Sequence, residues 1–424
     1  MTTDSMRAHS PAVRGPVRPA ERQLAPDLAR GAMLLFIALA NAPGLAPGGP
    51  AHGALLESAE RAANALLSMF VHARAYPVFA IMLGYGLVQL ARRQRAAGAT
   101  PAQVRRLLLR RSTWLFVFGF AHAALLYFGD FLGAYGIISA VATVTLLGRV
   151  KLLRTLLWLW AVSIVELAVL AALVIVGVAR GGGPPAAIPA EVPASSVAAS
   201  YVASIAARLH EWPPHTLTVL PAIFIVGLGM WAAERRLLED PARHSSSLRR
   251  IAVLCLTVAV AGGVPLALVY LGVVHVDERT LRLISYLHKV SGMFGGPGYV
   301  ALFGLLAPGL SRDATRTVGR IAGALAALGR RSLSGYLFQS MAWQLLLPPY
   351  TLSLASRFGS PLLTALALAV LVWVASVAGA AWLERRERSG PAELVLRRLV
   401  YGGAHERPHR STPRGPVGVA SGVG

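Results

Sequence analysis

In GFAHAALLYFGDFLGAYG (119–136) a histidine and an aspartate, His122 and Asp130, stand in a stretch otherwise apolar enough for a membrane. An imidazole beside a carboxylate is the pairing that general-base chemistry uses. The carboxylate orients the ring and stabilises its charged form. On an unbroken helix the two residues would lie about 12 Å apart along the axis and about 80° apart around it. Contact therefore requires a turn at Gly129 that folds Asp130 back. A structural account competes with the catalytic one. His122 would then be a packing residue, and Asp130 a solvated cap on the next helix, where a carboxylate meets the helix dipole.

A second candidate set lies in GRRSLSGYLFQSMAW (329–343). Ser332, Tyr336, Gln339, Ser340 and Trp343 fall at i, i+4, i+7, i+8 and i+11, one polar stripe on a helix. Such a stripe faces the interior of a bundle, as interhelical glue or as a cavity wall. Arg330 and Arg331 precede it, placed for phosphates or for lipid headgroups. FVHARAYPVFAIMLGYG (70–86) adds His72 and Arg74, where Arg74 either snorkels to the surface or closes the same cavity as His122. PDLARGAMLLFIALAN (26–41) supplies Asp27 and Arg30 at one end and Asn41 at the other. In SGMFGGPG (291–298) a glycine-proline break interrupts apolar sequence, tolerated only where it lines protein or water.

The elements that must position these groups follow from composition. The chain has 424 residues, 55% hydrophobic and only 14% charged, against roughly 25% charged in soluble domains. This is the composition of an integral membrane protein in a lipid bilayer. The net charge of +22 comes from 41 Lys+Arg against 19 Asp+Glu. The arginines cluster between apolar runs, as membrane-surface loops do, so no nucleic-acid partner is expected. The single cysteine, Cys255, reads as a buried small hydrophobe. No metal site, bound cofactor, P-loop or nucleophile elbow is expected.

The expected fold is an all-α polytopic bundle of ten spans, near 30–47, 66–90, 112–129, 131–148, 152–178, 216–233, 251–274, 284–308, 332–348 and 361–383. A disordered basic tail is expected over 1–25 and a transmembrane domain over 26–390. A tail over 391–424 should hold a short amphipathic helix and then disorder. A signal peptide cleaved after Ala40 is the rival reading of the first span. Arginine is dense at 91–111, 149–154, 235–250 and 312–331 and sparse in the alternate loops, which places both termini in the cytoplasm.

Five stretches together resemble the YeiB family of bacterial inner-membrane proteins, which carries domain of unknown function 418. They are LARGAMLLFIALAN (28–41), YPVFAIMLGYG (76–86), GFAHAALLYFGDFLGAYG (119–136), GRRSLSGYLFQS (329–340) and GPAELVLRRLVYG (390–402). Its signature is expected chiefly in the C-terminal half, about 216–390. The resemblance implies a multi-pass protein of the bacterial plasma membrane. It also implies distant similarity to transmembrane acyltransferases, which move an acyl group from cytoplasmic acyl-CoA to an extracytoplasmic glycan or lipid acceptor. Acyltransferase-3 proteins hold a histidine near the end of the first span. Asn41 stands there in this chain, so that role does not carry over.

On the acyltransferase reading His122 is the general base and Asp130 its support, with His52 and His72 as weaker rivals. Asp27, Arg30, Arg330 and Arg331 border a cytoplasmic mouth for the donor. Arg74, Tyr336 and Gln339 stabilise oxyanion charge, and Asn41 and Tyr135 complete the substrate-binding set. A transporter of a small or lipidic molecule, or a non-catalytic membrane subunit, is the alternative. The topology has a direct check. A reporter fused after Gly424 should read cytoplasmic, and an extracytoplasmic signal would overturn the orientation.

Overall fold

The computed structural model describes residues 24–46, 49, 51–181, 184–186, 188, 192–312 and 317–402. The expected basic tail lies outside these, apart from its last two residues, as do 403–424 and Arg316. Every regular element described is helical. The first half holds α1 (Leu24–Asn41), α2 (Ala54–Phe70), α3 (Ala75–Ala96), α4 (Pro101–Leu125), α5 (Leu132–Thr145), α6 (Val150–Arg180), α7 (Tyr201–Val219) and α8 (Ile223–Glu234). The second holds α9 (Ser245–Ala261), α10 (Val264–Tyr270), α11 (Glu278–Gly292), α12 (Gly295–Arg312), α13 (Thr317–Arg330), α14 (Ser332–Leu346), α15 (Pro361–Arg385) and α16 (Pro391–Tyr401).

Among the described residues, seven helical segments are long and apolar enough to cross a membrane. They are α1, α2 with α3, α6, α7 with α8, α9 with α10, α11 with α12, and α15. The chain is thus a multi-pass membrane protein. The other three expected spans coincide with α4, α5 and α14. Of these, α5 and α14 are short, and α4 carries Arg105, Arg106, Arg110 and Arg111 at its start and His122 in its last turn. Each buries one face in the bundle and leaves apolar side chains exposed on the other, among them Phe120 and Leu125 of α4, Val141 of α5 and Met341 of α14. The extreme case is α6, where only Leu153, Leu170 and Val174 of 31 residues are buried. Its exposed Trp158, Val162, Val165 and Ile175 form an apolar outer wall suited to acyl chains.

Two expected loops are not loops. Between α3 and α4 only residues 97–100 connect, because Pro101 starts α4 and Thr100 caps it in a capping box with Gln103. At 317–330, where arginines suggested a surface loop, α13 packs on α1 and buries Ala322, Ala326, Ala327 and Leu328. The backbones touch there: a side chain on Gly31 would strike the Leu325 carbonyl, and one on Gly329 the Asp27 carbonyl. The break expected at 291–298 is present, with α11 ending at Gly292 and α12 starting at Gly295.

Two contacts set the helices that matter most. The hairpin of α4 and α5 closes so tightly that a Cβ on Gly119 would collide with the Gly133 amide. At the other end, Glu393 of α16 accepts the Leu333 and Ser334 amides at 2.8 and 3.1 Å. These are orphan donors of the first turn of α14, so a carboxylate from a distant helix caps it against its dipole. Replacing Gly119 with Val should lower the thermal midpoint in detergent, by about 1–3 kcal/mol or more of stability. Gly323→Ala, which points into open space, should leave the midpoint unchanged or slightly raised.

Candidate functional site

The last turn of α4 ends when the Leu126 and Tyr127 amides both bond back to the His122 carbonyl, at 2.8 and 3.0 Å. The chain then turns through Gly129 and Asp130 into α5. Asp130 Oδ2 accepts the Gly133 amide at 2.7 Å, capping α5. Its Oδ1 lies 3.0 Å from His122 Nδ1, an ion-pair approach somewhat off the axis of the N–H bond. The fold-back that contact requires is therefore made. The expected solvated position of Asp130 is not: both side chains are 0% exposed, because α14 closes over the turn.

That closure supplies the other partners. Ser340 Oγ lies 2.8 Å from His122 Nε2, Tyr336 donates to Asp130 Oδ1 at 3.4 Å, and the Tyr336 ring lies against the imidazole at a tilt of 32°, centroids 4.6 Å apart. A carboxylate only accepts, so Nδ1 carries the ring proton and Nε2 is left to accept from the serine hydroxyl. Asp130, His122 and Ser340 thus stand in acid–base–hydroxyl order, each within 3.0 Å of the next, the arrangement that activates a nucleophile. Ser340 stood in the polar stripe, but nothing local to it announced a partner in α4.

Two cavities that share Arg30, Arg111 and Leu396 as walls approach the site. The larger, about 600 Å³, is a vestibule between the start of α1, the end of α3 and α16. Six arginines line it, Arg30, Arg92, Arg93, Arg111, Arg236 and Arg397, against two acids, Asp27 and Glu239. Burial raises the Tyr401 phenol above its ordinary range, so it stays protonated on this wall. The inner cavity, about 260 Å³, has largely apolar walls and reaches Phe131, Tyr135 and Tyr336. Arg30 and Arg111 line both. Arg30 pairs with Asp27 at 3.4 Å, whereas Arg111 has no carboxylate partner among the described residues. Tyr336 is thus a wall of the inner cavity on one side and a contact of the dyad on the other.

The remaining sequence candidates disperse. Arg330 borders the inner cavity, but its guanidinium is held by Glu384 at 2.7 Å, which Arg331 also grips. Tyr135 lines the inner cavity and donates to the Tyr76 carbonyl at 2.7 Å. Arg74 does not join His122. It is wholly buried where α2 gives way to α3, donates to the His72 and Ala259 carbonyls, and lies 3.3 Å from His288 Nδ1. Glycines 263 and 295 leave it room. Gln339 is buried with neither amide atom partnered among the described residues, and the same holds for Asn41 Nδ2 and Trp343 Nε1. His52 stays in the connection before α2, its amide bonded to the Gly359 carbonyl. Among the described residues no three His, Cys, Asp or Glu side chains gather as metal ligands.

A second buried network centres on Arg208, which falls between the expected spans 152–178 and 216–233 and so carries no signal of burial in the sequence. Arg208 projects from α7 and donates to the Ala124 and Leu126 carbonyls at 3.1 Å each and to Gln344 Oε1 at 3.0 Å. It satisfies the carbonyl end of α4 and ties it to α14, one turn beyond Ser340. Gln344 continues to Tyr350, which donates to Ser204 at 3.0 Å.

Residues 232–403, from the end of α8 through α16, match the family DUF418, described as a protein of unknown function. The likeness to the YeiB and DUF418 family read from the sequence is shown there. Ser340, Tyr336 and Gln339 fall within the match, and His122 and Asp130 before it. No curated protein matches the chain.

Arg208→Ala should cost about 2–3 kcal/mol, since it strips charged donors from buried carbonyls. Arg282→Ala, which removes an exposed pair with Glu278, should change stability by less than about 0.5 kcal/mol. Thermal unfolding of both variants in the same detergent checks the contrast.

Proposed function

We propose that this DUF418-family membrane protein is an acyltransferase. It would take an acyl group from a phosphate-bearing thioester such as acyl-CoA on the cytoplasmic side and pass it to an extracytoplasmic glycan or lipid hydroxyl. The observation that carries the reading is His122 held between Asp130 and Ser340, with Tyr336 linking that group to the inner cavity. Proton transfer at a buried hydroxyl is what such a chain does. A packing histidine requires neither an oriented carboxylate nor a serine on its second nitrogen.

The donor side follows from charge and shape. Phosphates suit a basic vestibule, above all at an arginine with no carboxylate of its own. The neighbouring apolar cavity suits the narrow arm and acyl chain of the same donor. Arg111, at the junction of the two spaces, would hold the phosphate nearest the arm. Arg330, committed to Glu384, contributes to the shape of the mouth rather than to the charge that binds. In the bacterial plasma membrane, with both chain ends inside, the vestibule would open to the cytoplasm. The Arg208 end would face the acceptor. Transport of a small or lipidic molecule is the competing function and makes no use of the proton chain.

The test uses the purified full-length protein. Acyl-CoA should bind and lose affinity with rising salt, and Arg111→Gln should weaken it about tenfold, or about 1.4 kcal/mol. His122→Ala should retain binding and abolish release of free CoA thiol. Thiol release unchanged in His122→Ala would remove His122 from the chemistry. Binding unaffected by Arg111→Gln would move the donor elsewhere.

A further inference from the structure

We propose that Ser340 is the covalent way-station of the reaction, a nucleophile that carries the acyl group as an oxygen ester between donor and acceptor. The inference rests on the acyl-transfer reading and goes one step past it. Direct transfer would need only a base, and the acceptor hydroxyl would occupy the position facing His122 Nε2. In this protein that position is filled by the chain's own hydroxyl, Ser340 Oγ, at 2.8 Å. The opposite ring nitrogen lies 3.0 Å from Asp130. The serine is wholly buried, so its hydroxyl has no surface role to explain its place.

Ser340 is also flanked by unused donors. Trp343 follows by three residues and so lies beside it on α14, and Gln339 immediately precedes it in the same helix. The Gln339 amide and the Trp343 indole N–H are buried without partners among the described residues. An unpartnered buried donor is costly. A donor beside a nucleophile acquires a partner when the carbonyl oxygen of a bound acyl group becomes an oxyanion.

The atoms balance without a further reagent. In the first half, Ser340 Oγ bonds to the thioester carbonyl carbon while its proton passes to His122 Nε2. The tetrahedral adduct collapses, the carbon–sulfur bond breaks, and the proton leaves His122 with the thiolate as free thiol. In the second half, an acceptor hydroxyl oxygen bonds to the ester carbonyl and gives its proton to His122. The carbon–Oγ bond then breaks and His122 returns the proton to Ser340. The sum is thioester plus alcohol giving thiol plus ester. Tyr336, one turn before Ser340 and about 6 Å along the axis, must swing aside for the carbonyl to arrive.

Two probes on the intact protein in detergent test this separately from the acyl-CoA reading. The first is a fluorophosphonate, which reacts with an activated serine whatever its natural donor. The second is palmitoyl-CoA or acetyl-CoA without acceptor, followed by peptide mass spectrometry and by thiol release. Fluorophosphonate should label Ser340, with at least a tenfold loss in His122→Ala. The acyl adduct should sit on Ser340 and be released by hydroxylamine. Ser340→Ala should lose both. In Ser340→Cys, which keeps the packing, the adduct should become a thioester, cleaved by neutral hydroxylamine. Thiol release at wild-type rate from Ser340→Ala, with no adduct in the wild type, would overturn the covalent step and leave acyl transfer standing. Fluorophosphonate labelling of Ser340 with no thiol release from either donor would support the nucleophile and overturn acyl-CoA as donor. Neither labelling nor release would overturn both.

Discussion

A carboxylate sealed from solvent among apolar helices is the constraint on which the rest of this structure turns. Asp130 has no water to screen it, and an unpaired buried charge is worth several kcal/mol of instability. Its lone pairs are met from three directions: the Gly133 amide of its own helix, the Tyr336 hydroxyl of α14 and the His122 ring of α4. Each partner belongs to a different element, so satisfying one carboxylate fixes three helix ends relative to one another. The close approach at Gly119 and Gly133 belongs to the same requirement. A wider α4–α5 hairpin would carry Asp130 out of reach of His122. The Glu393 cap on α14 and the Arg208 bonds to the end of α4 hold the helices at opposite ends of the site. The site is a braced object, with polar fastenings at each end and apolar packing between.

Charge in the molecule is sorted by that logic. The spans with the least burial, α6 above all, carry apolar side chains outward. Arginines gather at one end, where some are committed, such as Arg330 and Arg331 to Glu384, or Arg92 to Glu234 at 3.1 Å. Arg111 stands apart because, among the described residues, no carboxylate pairs with it, although Asp27 and Glu239 share the vestibule and Glu393 the inner cavity. The distinction lies in each guanidinium's company rather than its presence, and company separates a structural arginine from one able to recognise an anion.

How much of this was legible in the sequence depends on the range of the interaction. The bundle class followed from composition, and the inward stripe of α14 from its period. The possible meeting of His122 and Asp130 could be stated as a condition, a turn at Gly129, because the two are near in the chain. Contacts between distant segments could not be read. Ser340 meets His122 across 218 residues of sequence and Glu393 caps α14 from 59 or more residues away. No local pattern records either. Helix α13 was misread for a related reason: its arginines resembled a surface loop, while its small residues, Gly319, Ala322, Ala326 and Gly329, spoke only once α1 lay against them. Arg208 and Arg74 show the same limit in reverse. As sequence they are loop or interface charges, and only the fold supplies the carbonyls that let them be buried.

Burial of the proton chain also bears on what reaction such a site can support. A base and an activated hydroxyl open to water would favour hydrolysis, since water is the most abundant acceptor. Here Tyr336 separates His122 from the inner cavity and Arg208 with Gln344 closes the opposite side, so solvent has no standing path to the imidazole. A closed, dry site strengthens every electrostatic contact within it and withholds the competing nucleophile. It also makes opening part of the cycle, because a carbonyl can reach Ser340 only when the tyrosine leaves Asp130 and the ring it covers. The Tyr336 hydroxyl holds Asp130 by a long bond of 3.4 Å, against 2.7 Å for the Gly133 amide. When the tyrosine moves, the carboxylate keeps its cap and its histidine. The contact that must break is the longest in the network, and the placing of His122 beside Asp130 does not depend on it.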